Sequence, residues 1–85
     1  MANDDKQRIR DYIGELLSEL DDRRPFDDAE SLIKTGRLDS LVVVKLVVFL
    51  ETEFDVDFTR VEFDPERFDS VDAIALVIGE SRDLR

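Results

Sequence analysis

The sequence predicts an all-α fold, a small four-helix bundle with three main helices, one short helix and a long first loop. Three stretches repeat apolar residues at intervals of three and four, which places those side chains along one face of a helix. These stretches cover residues 4–20, 40–53 and 71–78. Pro25 and Gly36 interrupt the chain between the first two. At 85 residues, the chain is expected to form one domain, 1–85, with a modest core.

The first helix is predicted over residues 4–20, where apolar side chains fall at i, i+3, i+4, i+7, i+8 and i+11. Asn3 is a suitable N-cap, and the two aspartates after it favour the positive end of the helix dipole. The helix is therefore expected to face the core with Ile9, Tyr12, Ile13, Leu16, Leu17 and Leu20.

Residues 21–38 are predicted to form a long connection, with a short helical turn in its middle over "DDAESLI". Its apolar residues are expected to pack onto the core, because a loop with that many apolar side chains cannot stay fully solvated. These anchors are Phe26, Leu32, Ile33 and Leu38.

The second helix is predicted from Ser40 to about Glu53, within "GRLDSLVVVKLVVFLE". Its valines favour a strand, but the run continues to Phe54 without a turn signal, which favours a helix. Asp39 or Ser40 supplies the N-cap, and we interpret Asp39 as the cap with Ser40 already inside the helix. The predicted core stripe is Val43, Leu46, Val47, Leu50 and Phe54. A second, largely apolar face consists of Leu41, Val44, Lys45, Val48, Glu51 and Thr52. So small a domain cannot bury one helix on every side, so part of that face is expected to meet a partner.

The rest of the chain is predicted to hold a short helix beginning at Pro65 and a third main helix from about Val71. Asp69 or Ser70 caps the third helix, and residues 81–85 are expected to be frayed. Apolar anchors are predicted at Val56, Phe58, Val61, Phe63 and Phe68, and the third helix is expected to bury Val71, Ile74, Ala75 and Ile78.

Composition excludes several classes of function. The net charge of −10, from 12 basic and 22 acidic residues, argues against binding to nucleic acid. Without histidine or cysteine the chain can form neither a Ser-His-Asp triad nor a histidine or thiolate metal site. No apolar signal segment follows the acidic N-terminus, and the run Leu41–Leu50 is too short to span a bilayer. A monomeric, cytoplasmic protein that is not an enzyme and holds no metal is expected.

Three segments carry a resemblance to a known family. "GRLDSL", with Ser40 opening a helix, resembles the modification site of the acyl carrier proteins, the phosphopantetheine-binding carriers. "FLETEFDVDF" is similar to the end of that family's second helix, and "FDSVDAIALVI" to its last helix. The tripeptide Asp-Ser-Leu alone is common, but in this order of elements the resemblance covers essentially the whole chain.

The resemblance implies that Ser40 carries a 4′-phosphopantetheine group, with Asp39 as the adjacent cap and Leu41 as an adjacent contact. A phosphopantetheinyl transferase would take this group from coenzyme A. Acyl-loading and acyl-transferring enzymes would then use its thiol to carry acyl groups as thioesters. Fatty acid, polyketide, aminoacyl and specialised lipid pathways all remain open. Because the sequence begins with Met1, a free-standing carrier is expected.

The chemistry of a helix start also favours a phosphate group on Ser40, because a phosphate there meets unpaired N–H groups and the positive end of the helix dipole. The alternative for Ser40 is a plain N-cap. The sequence departs from the family in having Val42, Val43 and Lys45 in the first turns of the second helix, where acids are usual. A more apolar interface, the partner face, is therefore predicted at Leu41, Val44, Lys45 and Val48. The alternative is that these valines pack against the long loop.

Two further functions stay open. Residues 55–66 place Asp55, Asp57, Thr59 and Glu66 at positions 1, 3, 5 and 12 of an EF-hand loop, but Arg60 stands where glycine is needed. A calcium site is therefore disfavoured. The other possibility is an interaction module whose apolar helix docks to a partner while Ser40 stays unmodified.

Overall fold

A computed structural model of the chain describes residues 3–60 and 64–83. Three α-helices run over Asn3–Glu19 (α1), Ser40–Glu53 (α2) and Val71–Asp83 (α3). No strand occurs in the described part, so the predicted all-α class is confirmed. The short helix predicted at Pro65 is a 3₁₀ turn at Pro65–Phe68, so the described residues contain three α-helices and one 3₁₀ turn. Asp64 caps this turn by accepting a hydrogen bond from the Glu66 amide.

The connection between α1 and α2 contains turns and bends but no helix. Where a helical turn was predicted, the structure has one i→i+3 turn closed by the Glu30 amide and the Asp27 carbonyl. Leu32 and Leu38 are fully buried, whereas Phe26 and Ile33 are only partly buried against the core. The connection therefore packs down as predicted, and two buried leucines hold it.

The core lies between α1, α3 and one side of α2. The predicted stripe of α1 is buried at Ile9, Ile13, Leu16 and Leu17 and partly buried at Tyr12. Leu20 is wrongly assigned to it: this side chain is 41% exposed, because α1 ends one residue earlier. The N-cap predicted at Asn3 involves a side chain outside the described part of the structure.

The α2 helix buries a slightly different row of residues from the one predicted. Leu46 and Leu50 are fully buried and Val42 and Val43 nearly so, whereas Val47 is only partly buried. The buried row advances in steps of four through positions 42, 46, 50 and 54 and so is centred one row away from Val47. Of the three residues that occupy the first turns in place of the usual acids, Val42 and Val43 are therefore buried and do not belong to the exposed surface.

The α3 helix is held to α1 by burial and by ion pairs. Val71, Ile74, Ala75, Val77 and Ile78 are buried. Lys6 Nζ lies 2.8 Å from Asp72 Oδ1, and Arg82 Nη1 lies 2.7 Å from Asp5 Oδ2.

The predicted fraying over residues 81–85 is wrong as far as Asp83. Ser81 is buried and Arg82 pairs with α1, so the helix continues to that residue. Of the other predicted anchors, Val56 and Phe68 are buried and Phe58 is partly buried. Val61 and Phe63 lie outside the described residues.

None of the helices within residues 3–60 and 64–83 is long and apolar enough to cross a bilayer.

Candidate attachment site at the start of the second helix

Ser40 is the first residue of α2, and its side chain is exposed. Asp39 is the N-cap: its backbone is extended, with φ −88° and ψ 174°, and its Oδ1 accepts a hydrogen bond of 2.9 Å from the Val42 amide. The Asp39 carbonyl accepts the next bond, from the Val43 amide at 3.1 Å. Asp39 thus does the capping, and the Ser40 hydroxyl makes no hydrogen bond within the described part of the chain.

A second Asp-Ser pair, Asp69-Ser70, opens α3 and serves as an internal comparison. There the roles are reversed. Ser70 Oγ accepts the capping hydrogen bond from the Ala73 amide at 3.1 Å, and Ser70 is partly buried. Two equivalent dipeptides at helix starts therefore differ in function: the hydroxyl of Ser70 is engaged as a cap, and that of Ser40 is available to solvent.

Asp69 is free to bind the connection because it does not cap α3. Its carboxylate accepts hydrogen bonds from Ser31 Oγ at 2.6 Å and from the amides of Ile33 and Lys34 at 2.8 and 3.1 Å. Burial alone would raise the pKa of Asp69, but these hydrogen bonds outweigh it and hold the pKa below its usual value. Asp69 therefore joins the start of α3 to the segment that leads into α2.

The residues just before Ser40 are fixed one by one. Gly36 adopts φ +81°, a left-handed conformation that suits glycine, and its amide closes a turn onto the Ile33 carbonyl at 3.0 Å. Leu38 is buried, and its amide donates to the Leu32 carbonyl at 2.9 Å. Arg37, between them, has a side chain that is only 8% exposed.

Arg37 forms an ion-pair network that sequence reasoning missed. It pairs with Asp22 at 3.0 Å and with Glu30 at 2.6 Å. Hydrogen bonds from Arg24 and Arg37 hold the pKa of Asp22 well below its ordinary value, and the hydrogen bond from Arg37 lowers the pKa of Glu30. The only signal in the sequence was one arginine, three residues before the serine and after a segment rich in acids.

The predicted partner face is exposed to solvent. Leu41, Val44 and Val48 are 78%, 60% and 54% exposed. Lys45 is directed toward α1, where its Nζ lies 3.5 Å from Glu19 Oε2. No acidic residue occurs in the first turn of α2. The exposed surface next to Ser40 is therefore apolar.

This chain is similar to a D-alanyl carrier protein from Lactococcus lactis subsp. lactis (strain IL1403). The two sequences are 35% identical over 78 residues, which cover 92% of this chain and 96% of that protein. The chain belongs to the phosphopantetheine carrier-protein family. The comparison does not single out the acyl carrier proteins of fatty acid or polyketide synthesis within that family. No protein-family model matches the chain. No solved structure matches it either.

The start of α2 in this carrier fits a phosphopantetheine group. The Ser40 hydroxyl is exposed, and Asp39 satisfies the Val42 amide without using it. A phosphodiester on Ser40 would lie at the positive end of the α2 dipole, with Leu41 exposed beside it. An open cleft of about 570 Å³ borders Asp39, between residues 20–24 and 35–37.

The structure gives the calcium-loop alternative no support. Asp57 Oδ1 accepts hydrogen bonds from the Thr59 amide and hydroxyl at 2.9 and 2.5 Å, so it folds back on its own turn. Glu66 lies 3.9 Å from Lys34. Within residues 3–60 and 64–83, no three acidic side chains come together in a way that could hold a metal ion. Part of the predicted loop, residues 61–63, lies outside the described residues.

Proposed function

We propose that this protein carries acyl or aminoacyl groups as thioesters on a 4′-phosphopantetheine group attached to Ser40, and presents them to biosynthetic enzymes. The observation that carries the proposal is that Asp39, and not Ser40, caps α2. Asp39 caps the helix, so the Ser40 hydroxyl is exposed and available for modification. The relation to a D-alanyl carrier protein supports the same role.

Ser40 acts as an acceptor and not as a catalyst. Attachment forms a bond between Ser40 Oγ and the phosphorus next to pantetheine and breaks the phosphoanhydride bond of coenzyme A. Adenosine 3′,5′-bisphosphate leaves, and the hydroxyl proton passes to a base on the transferase. The helix start then favours the attached negative charge by about 0.3–1 kcal/mol, the usual size of this effect at an exposed site. The group supplies a thiol that this cysteine-free chain lacks.

The cargo we propose to test first is D-alanine. The related protein is named as a D-alanyl carrier, and an aminoacyl thioester is one of the cargoes that the sequence leaves open. Loading would require a ligase that activates D-alanine, followed by an enzyme that removes it from the thiol. Loading by malonyl or long-chain acyl enzymes instead would place the protein in fatty acid or polyketide synthesis.

We further propose that the partner face is where these enzymes dock. An enzyme that receives the arm must cover the surface beside Ser40, and Leu41, Val44, Lys45 and Val48 form that surface. Contacts there would be apolar at the centre with a polar rim. The domain, residues 1–85, would act as a monomer.

The function is tested by intact mass after incubation with coenzyme A and a broad-specificity phosphopantetheinyl transferase. The wild-type chain should gain the mass of one phosphopantetheine group, and Ser40→Ala should gain nothing. The Ser40→Ala chain should keep its helical circular dichroism, because Asp39 still caps α2. A wild-type chain that stays unmodified would instead favour the plain interaction module.

A further inference from the structure

We propose that Arg37 is a positioning residue that presents Ser40 to the modifying transferase. The inference rests on the proposed function, since it concerns how the same serine is reached. Arg37 does not cap α2 and is not part of the apolar core. Arg37 lies three residues before Ser40, and its contacts instead hold together residues of the connection between α1 and α2.

All five N–H groups of the Arg37 guanidinium have an acceptor. Nε and Nη2 donate to the two carboxylate oxygens of Asp22 at 3.0 and 3.1 Å, a bidentate pair. Nη1 donates to Glu30 Oε2 at 2.6 Å and to the Pro25 carbonyl at 3.1 Å. Nη2 also donates to the Arg24 carbonyl at 2.7 Å. A guanidinium has five donors, so this side chain is saturated.

The network gathers residues 22–30 around one point of the chain. Arg37 is 8% exposed, and its guanidinium lies 6.0 Å from the centre of the Phe26 ring. The guanidinium of Arg10 lies 4.7 Å from the same ring, and its Nη1 is 2.6 Å from Asp28. Arg37 therefore links the residues just before Ser40 to residues 22–30, which Arg10 of α1 also contacts.

Only two residues separate Arg37 from Ser40, and both are held in place. Leu38 is buried, and Asp39 is fixed by its bond to the Val42 amide. Loss of the five Arg37 bonds would free residues 22–30 and widen the range of orientations of the peptide that enters α2. Only part of that ensemble would fit the transferase, and apparent affinity falls in proportion to the competent fraction.

The test compares Arg37→Met with Arg24→Met as substrates of the transferase. Both replacements remove one positive charge and one partner of Asp22, because Arg24 also pairs with that carboxylate at 2.9 Å. The Arg24 side chain, however, is 73% exposed. Methionine keeps the length of the apolar stem, so Arg37→Met removes the five donors with little change in packing.

The KM of the transferase for Arg37→Met should rise about fivefold or more, with kcat within about twofold of wild type, as expected when only the competent fraction falls. Arg24→Met should stay within about twofold of wild type in both constants, because it leaves the Arg37 fork in place. Hydrogen exchange should accelerate at the Leu38 and Val42 amides in Arg37→Met but not at Ile74 in α3, which bonds to Ser70. A merely structural role would lower the melting temperature without this change in KM.

Further variants keep the proposal open to refutation. Arg37→Lys keeps the charge but not the five-donor fork, so its KM should resemble that of Arg37→Met. If Arg37→Met fails to fold, Glu30→Gln removes one charge partner and leaves the pair with Asp22 intact, and its KM should still rise.

Several results would overturn the inference: a folded Arg37→Met with the wild-type KM, an equal rise in Arg24→Met, a wild-type KM in Arg37→Lys, or an unchanged Glu30→Gln. Failure of the wild-type chain to gain mass at all would instead overturn the proposed function, and the inference with it.

Discussion

Glutamate at position 44 or position 46 should have opposite effects, although the two residues are only two apart in α2. Val44 is 60% exposed and belongs to the partner face, whereas Leu46 is fully buried in the core. Replacing Val44 by Glu removes less than half of a valine's burial, which costs about 1 kcal/mol. Glutamate also has a better helix propensity than valine, so the fold should persist.

The same change at Leu46 should unfold the domain. Loss of a buried leucine costs about 2–5 kcal/mol. A glutamate whose pKa burial raises by several units is protonated in the folded state at neutral pH, and taking up that proton costs about 4 kcal/mol more. An 85-residue domain has a total stability of about 4–13 kcal/mol. The cost is therefore comparable to the whole stability.

The assay combines thermal melting by circular dichroism with the rate of transferase-dependent mass gain. Val44→Glu should melt cooperatively within a few degrees of wild type but be modified more slowly, because a charge enters an apolar contact. Leu46→Glu should show no cooperative melt. If Val44→Glu unfolds while Leu46→Glu is tolerated, α2 is rotated relative to our description and the partner face lies elsewhere.

Three further predictions follow from charge and capping. Because the net charge is −10, the melting temperature should rise with added NaCl and rise more with millimolar Mg²⁺ or Ca²⁺, without preference for calcium; micromolar, calcium-selective binding by calorimetry would contradict this. The pKa values of Asp22, Glu30 and Asp69 are lowered in the folded protein, so their stabilisation is present above about pH 4 and is lost as the pH falls toward 2. Melting temperatures across that range should fall, and Asp69→Asn should flatten the dependence; an equally steep dependence in the variant would refute this role for Asp69. Ser70→Ala should lose about 1 kcal/mol of unfolding free energy in urea titrations because it removes a cap, whereas Ser40→Ala should lose less; equal losses would be incompatible with the capping described.

The bounds of α2 could be predicted from the sequence, because they depend on local chemistry. An Asp-Ser pair supplies a cap, and the apolar run that follows has helical periodicity up to Phe54. The orientation of the helix was predicted only to within one row. Val42 lies in the buried row and Val47 in the neighbouring one, and only contact with the rest of the fold decides which of the two rows is buried.

The cap of α3 and the order of its last turn depend on contacts distant in sequence. Asp69 and Ser70 are equally good caps by residue type, and Ser70 takes the role because Asp69 bonds to Ile33 and Lys34 across the fold. The last turn of α3 is held by Arg82 and Asp5, which are 77 residues apart. Local propensity carries no information about such pairs.

The sequence predicted Ser40 as the candidate attachment residue, but it did not predict the contacts that hold the segment before Ser40. The residue types around a serine at a helix start form a local sequence pattern. The resemblance to carrier proteins then indicates that this serine is an attachment site. The Arg37 network requires the connection to fold back so that residues 15 positions apart meet. The apolar periodicity of the sequence does not indicate which residues of this connection meet.

The most direct test of the account is to locate the added phosphopantetheine group within the chain. Cleavage by trypsin after Arg37 and Lys45 releases an eight-residue peptide, Leu38–Lys45, in which Ser40 is the only hydroxyl side chain. After incubation with coenzyme A and the transferase, tandem mass spectrometry should find the whole added mass on this peptide. The peptide that holds Ser70, the other serine of an Asp-Ser pair at a helix start, should stay unmodified. Added mass on the Ser70 peptide, or none on Leu38–Lys45, would contradict the assignment of Ser40 as the attachment site.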